Sequence, residues 1–456
     1  MRKWFEHAEK SHNVDDFLKE IKGSLIASDI VRTPLLLTML CQLYEDGYEL
    51  PRDEVELMED AVDLYLRKWD SSRRIRRNTE LEDKLSRQRR KELFATIAYI
   101  GMMEGKRVWR RQDLEELIEA SLEKIQGVTP ETLETDVSNV LYLLETHHGL
   151  LVRASKDTYV FSHRSFQEYF TAMQVMMDLG HDTEAIAEFI EQRLTDRQFR
   201  EVFYNLLSRQ KDAEPFLTTI RTKMDQLISR HPILKQWLIW LDKVTQDANV
   251  SSAAWRVNTG CFDFETSLYF KSDPKVDLTV AQRLAERLRA FNRRNRQYFR
   301  ETTPRIRLVS RLAAIHNIAS DRAQGKKVEF EKLGEFVAVY KDLPNRLKAV
   351  FTELIPMAQE AELEPLAKLM EDLLQEFPED NAATDDWANW EQQLQDAMQA
   401  HLQVGYDHAM KPEDEQALDD YIYLASLITD VVLGDSQCSA EFRREIVESL
   451  FLPPAQ

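Results

Sequence analysis

The sequence predicts a mainly α-helical protein carrying one small β-hairpin, and three observations predict it. Apolar residues make up 43% of the 456 residues and charged residues 30%, with only 12 Gly and 14 Pro, a balance that suits long helices and few tight turns. Apolar residues recur at three- and four-residue steps along most of the chain. Two short apolar runs, Leu150 to Arg153 and Thr158 to Phe161, flank the polar turn Ala154-Ser155-Lys156-Asp157, as strands of a hairpin do.

Taken in order, Phe17, Leu18, Ile21, Leu25, Ile26 and Ile30, then Leu36, Leu37 and Leu40, predict two helices joined at Arg32-Thr33-Pro34. Thr33 is placed to cap the second, and Pro34 takes its first position, where a missing N–H costs nothing. A turn around Gly47 leads to a third helix from Asp53 to about Trp69. Helices from Lys84 to Met103, Asp113 to Ile125 and Pro130 to Thr146 precede the hairpin. Three helices followed by a hairpin make a winged helix. DNA-reading versions carry Arg, Lys, Asn or Gln on the third helix. Here that helix offers Glu131, Glu134, Asp136 and Glu145 and no Lys or Arg, so a protein-contact or regulatory wing is expected.

From Thr183 onward helix follows helix, with apolar faces such as Phe189, Leu194, Phe199, Val202 and Phe203. Stacked helical pairs would bury them as a bundle or solenoid, without a fixed repeat period. Residues 378–390 are acidic and contain Pro and Asn, as a loop or boundary does. The expected domains are residues 1–82, helical; 83–180, winged helix; 181–250, helical; and 251–456, a helical C-terminal domain. A chain of this length suggests about two to four domains.

Little enzymatic chemistry is legible. No GxxxxGK[ST] phosphate loop occurs; the nearest run, Gly101 to Arg107, is one residue short and falls at a helix end. No GxSxG elbow, HExxH helix or paired-Cys metal site appears, and Cys41, Cys261 and Cys438 stand far apart. His147 and His148 lie at a helix end, where capping the final carbonyls is the expected role. A net charge of −19 opposes non-specific nucleic-acid binding, although arginines crowd residues 73–91 and 287–311. In the second cluster Glu286, Glu301 and the helical spacing suit a solvated face or an acidic partner surface. No run of about 18 apolar residues and no signal peptide is present. A cytoplasmic setting is expected.

One stretch stands apart. In Phe161-Ser162-His163-Arg164-Ser165-Phe166-Gln167-Glu168-Tyr169-Phe170 a strand meets an aromatic-rich helix, with Ser162, Ser165 and Glu168 as its polar start. His163 falls at the corner, outside the packed face of both elements. On spacing alone a plain surface histidine is the stronger reading, with a phosphate contact beside it.

These residues resemble the winged-helix motif FxHxSFQEYF of NACHT-type signalling NTPases. Thr33-Pro34-Leu35-Leu36-Leu37-Thr38-Met39-Leu40-Cys41 is similar to that family's PLLL helix, and Tyr44 to Leu66 to the segment after it. Residues 197–207 are similar to its next helical segment. Pro232 to Trp240, Ala253-Ala254-Trp255-Arg256 and Gln416 to Pro453 resemble the tail of bacterial, notably cyanobacterial, members. The resemblance implies a switch in which His163 contacts the phosphate of bound ADP, Pro34 lies near the adenine, and exchange for ATP with Mg opens a closed state. It implies an upstream NACHT ATPase core, in cis or in trans, since the Walker motifs are missing here. Alone, this chain is expected to bind no cofactor and hydrolyse nothing. By the same analogy its role is ligand sensing and ligand-induced homo-oligomerisation in antiphage or conflict defence. The alternatives are a nucleotide-independent helical scaffold or adaptor and, below it, a winged-helix nucleic-acid binder.

Overall fold

Apolar spacing of three and four becomes helix along the chain, and alternation becomes sheet only around the wing. The computed structural model describes residues 14–23, 34–51, 53–71, 85–123, 130–147, 149–245, 253, 256–261, 263, 278–294, 304–325, 343–379, 382–404, 410–434 and 436–454. Two units emerge: Met1–Thr219 with Asp430–Cys438, and Ile220–Thr429 with Ser439–Gln456.

In the first unit, α1 (Val14–Gly23) buries Phe17 and Ile21. Pro34 opens α2 (Pro34–Glu45) at its first position, as expected; the capping role of Thr33 lies outside the described residues. The helix α3 (Glu54–Ser71) starts at Asp53, whose Oδ1 accepts the Glu56 N–H at 2.7 Å. Ser86 caps α4 (Arg87–Met103) in the same way.

The end of α4 explains the glycines of the false phosphate loop. The Lys106 N–H reaches the Gly101 carbonyl and the Gly105 N–H the Met102 carbonyl, a Schellman ending that places Gly105 at φ +65°. At Gly101 a Cβ would lie within 3 Å of Gln167 Nε2, the Lys106 carbonyl and the Trp109 ring. Both glycines therefore serve chain geometry.

The winged helix continues through β1 (Trp109–Arg110), α5 (Arg111–Leu122), α6 (Pro130–His147), β2 (Leu151–Ser155) and β3 (Thr158–Phe161). The expected hairpin gains a third strand: the order is β1-β3-β2, all antiparallel, with Trp109 opposite Tyr159 and Leu151 opposite Phe161. Two residues are too few to show alternation, which hides β1 in the sequence. Next comes α7 (Arg164–Leu179), whose Phe166, Tyr169 and Phe170 are buried. Phe170 stacks on Phe94 of α4 at 5.3 Å between centroids, and Phe166 meets Tyr65 of α3 at 6.0 Å. Each such ring contributes about 1.5–3 kcal/mol by leaving water. One apolar core thus runs from α1 to α7. Then α8 (Thr183–Glu191), capped by Asp182, and a 3₁₀ turn lead to α9 (Arg200–Ser208), which packs along α7.

The helices α10 (Glu214–Ser229) and α11 (Pro232–Thr245) follow. The second unit further contains α12 (Leu278–Arg294), α13 (Pro304–Ala323), α14 (Leu343–Glu360), α15 (Glu364–Gln375), α16 (Thr384–Leu402), α17 (Pro412–Leu433) as far as Thr429, and α18 (Ala440–Glu448). Within the acidic stretch after Pro378, α16 already begins at Thr384; Trp387 and Trp390 sit buried on it against Phe377, and the Trp390 indole N–H donates to the Leu373 carbonyl at 2.8 Å.

The end of this unit is held by arginines. The Arg256 guanidinium is buried and donates to the Leu450 carbonyl at 2.9 Å and to the Glu448 carbonyl. Arg221 donates to the Ser449 carbonyl at 2.7 Å. The hydroxyl of buried Tyr421 accepts the N–H of Phe451, a residue in the left-handed region at φ +61°. Carbonyls that α18 leaves without helical partners thus find donors, which the last turn of any helix requires. The arginine of the Ala-Ala-x-Arg stretch is a structural clamp.

Candidate functional site

His163 is itself the N-cap of α7. Its backbone is extended, φ −146° and ψ 148°, and its Nδ1 accepts the Ser165 N–H at 3.2 Å, with the Ser165 hydroxyl at 3.1 Å. The sequence pointed to Ser162 as the polar start because serine is a commoner cap than histidine. Accepting at Nδ1 requires that nitrogen to be unprotonated, so the ring's proton sits on Nε2. The side chain is exposed, and partial desolvation holds its pKa below the ordinary histidine value. The result is an imidazole anchored through Nδ1, with Nε2 left to meet a further group.

The helix behind it is rigidified by charge. Arg164 donates through Nε to Glu168 Oε1 at 2.5 Å and through Nη2 to the Gln198 carbonyl at 3.2 Å. Burial pushes the Glu168 carboxyl up, with Arg164 opposing. Gln167, also buried, donates to the Lys106 carbonyl at 3.2 Å. Arg209 lies 4.7 Å over the Tyr169 ring, and burial pushes the Tyr169 phenol up to about 12. None of these partners was read from the sequence, although the four-residue step from Arg164 to Glu168 is a usable signal.

Pro34, the other expected contact, is exposed at the start of α2, where its carbonyl accepts the Thr38 hydroxyl at 2.8 Å. Among the described residues no hydrogen bond or ring contact joins it to His163. Lys106, the cation of the false phosphate loop, is engaged elsewhere: its Nζ lies 2.5 Å from Asp113 Oδ2 and 4.4 Å over the Trp109 ring, and holds the Asp113 carboxyl below its usual range. The described face of α6 exposes Thr135, Ser138 and Tyr142, in keeping with its lack of Lys and Arg. The capping expected of His147 and His148 lies outside the described residues.

The arginines of α12 face an acidic surface within their own unit. Arg283 pairs with Glu415 and Arg287 with Asp419, two rungs four residues apart on each helix. The basic residues 73–77 are outside the described ones. Among the described residues no group of three or more His, Cys, Asp or Glu could hold a metal ion, and no helix is long and apolar enough to cross a membrane.

Comparison with known proteins returns no match among curated proteins and none among solved structures. Two family models do match. Residues 54–175 match the winged helix-turn-helix domain C-terminal to NACHT. Residues 363–453 match the NACHT C-terminal helical domain 2. With α3 to α7 falling under the first and α15 to α18 under the second, the chain carries a C-terminal, NACHT-associated portion.

Proposed function

We propose that this chain is the regulatory and sensor part of a NACHT-type signalling ATPase, in which the winged helix latches bound ADP in a closed state and the C-terminal helices sense a ligand. The supporting observation is the Ser165 N–H donated to Nδ1 of His163 at 3.2 Å, at an exposed corner. A neutral imidazole that accepts at Nδ1 must present Nε2–H outward, and a phosphate oxygen is a fitting acceptor for it. These residues fit a single contact to the nucleotide. The phosphate cradle, its magnesium and the hydrolytic chemistry would come from a NACHT core in cis or in trans, because no GxxxxGK[ST] occurs in this sequence. Pro34, at the start of α2, would neighbour the adenine.

Exchange of ADP for ATP would remove the histidine contact and shift a closed–open equilibrium, with homo-oligomerisation in the open state. Antiphage or conflict defence is the setting this reading favours, by family analogy. A hydrogen bond to a charged group contributes about 1.5–3 kcal/mol, so His163→Ala should weaken ADP binding by about tenfold or more in the complex of this chain with a NACHT core. Equal affinity for the variant and the wild type, by calorimetric titration of ADP, would overturn the latch.

A further inference from the structure

We propose that the Arg200–Asp430 ion pair is a clasp through which helix α17 controls the histidine corner. This rests on the latch reading of His163 for its functional meaning, while its test does not involve nucleotide.

The first unit is completed by a segment distant in sequence. Residues 430–438 belong to it, whereas α17 up to Thr429 belongs to the second unit, so one continuous helix is shared between them. Where that helix ends, Asp430 pairs with Arg200 at the start of α9, and both side chains are 15% exposed. The Ala213 N–H donates to the Gln437 carbonyl at 3.0 Å. At Gly434 a Cβ would stand 2.9 Å from the Tyr204 hydroxyl of α9. The segment is therefore fitted closely to α9 by charge, backbone and shape.

The α9 segment is in turn fixed to α7 at both of its ends. Arg164, next to the capping histidine, holds the Gln198 carbonyl, and Arg209 stacks on Tyr169. The path from Asp430 to His163 is thus made of contiguous contacts: Asp430 to Arg200, the α9 segment, Arg164, the α7 cap. A pair this sheltered is costly to break from one side: Arg200 keeps its 3.3 Å contact with Glu201, but loses its closest carboxylate in a poorly solvated place. A ligand event that moved α17 by a turn or less would have to break it. That gives the C-terminal helices a lever on the corner that carries the proposed latch.

Hydrogen exchange by mass spectrometry on the full chain tests this. Arg200→Ala and Asp430→Ala are expected to raise amide exchange about tenfold both in residues 430–438 and in residues 164–169. The exchanged pair R200D/D430R should bring both regions back to within about threefold of wild type. Gly434→Val keeps both charges and wedges the segment away from Tyr204, so it should match the single variants and carries the test if those fail to fold. Exchange that rises in 430–438 alone, or an exchanged pair no better than its single variants, would overturn the coupling. Equal ADP affinity in His163→Ala would remove the latch reading and leave these exchange rates unaffected, so the two failures are distinguishable.

Discussion

His163 in the first unit and Arg256 in the second are both motif residues, and the fold treats them in opposite ways. His163 stands exposed at a corner, with one nitrogen used and one presented outward. Arg256 is 2% exposed and all the donors described for it end on carbonyls of its own unit. A buried side chain clamped on its own chain's carbonyls is out of reach of a ligand, whereas an exposed ring anchored at one nitrogen keeps the other within reach. The two motif residues therefore differ in what they leave available: a ring nitrogen at an exposed corner in the first unit, and a guanidinium committed to the chain end in the second.

Arg256→Ala should produce the largest effect, about 3 kcal/mol of lost stability, because two buried carbonyls lose their donor and a cavity remains. Urea unfolding of the full chain measures it, and a midpoint like wild type would mean that Arg256 is not the clamp. Gly101→Ala comes next, about 1–3 kcal/mol, since the added methyl meets Gln167, the Lys106 carbonyl and Trp109 within 3 Å. Its unfolding curve separates a packing role from a phosphate-loop role, which would leave stability intact.

His163→Ala should cost about 1 kcal/mol or less, the size of one helix cap. The same cap predicts a pH effect whose sign follows from the direction of the shift. The folded pKa lies below the ordinary histidine value of 6.5, so the cap's contribution is complete above that value and is lost as pH falls through the lower folded one. The Ser165 amide resonance should move over that acidic window, and an amide that titrates above 6.5 contradicts the Nδ1 assignment. The smallest change is expected of Arg283→Ala. Its bidentate pair with Glu415 leaves the Arg283 side chain nearly half exposed and should contribute about 0.2–1 kcal/mol, weakening in about 1 M salt.

How much of this the sequence reveals follows the range of the interactions. Helices from α2 to α7, the Phe166, Tyr169 and Phe170 face, and the corner position of His163 are visible because their signals repeat within a few residues. The third strand is not, because Trp109 and Arg110 become a strand only through Tyr159 and Thr158. The rungs from Arg283 to Glu415 and Arg287 to Asp419 are also hidden; each half reads as a solvated charge until the helices are brought together. The capping histidine was visible as a position but not as a cap, since imidazole seldom takes that role. Most opaque is the return of residues 430–438 to the first unit, which leaves no local periodicity.

That return has a consequence for how such chains can be cut and recombined. A boundary drawn by position, anywhere between the wing and the C-terminal helices, separates α9 from residues that complete its surroundings. A protein ended near Thr219 would leave Arg200 without Asp430, and a graft of foreign helices in place of residues 220–456 would do the same. Exchange of the C-terminal helices by recombination should succeed only where the incoming sequence brings its own acidic residue and its own small residue at the places of Asp430 and Gly434. In this architecture the module that can be inherited as a unit includes neighbours in space, Arg200 and Asp430, that lie 230 residues apart in the chain.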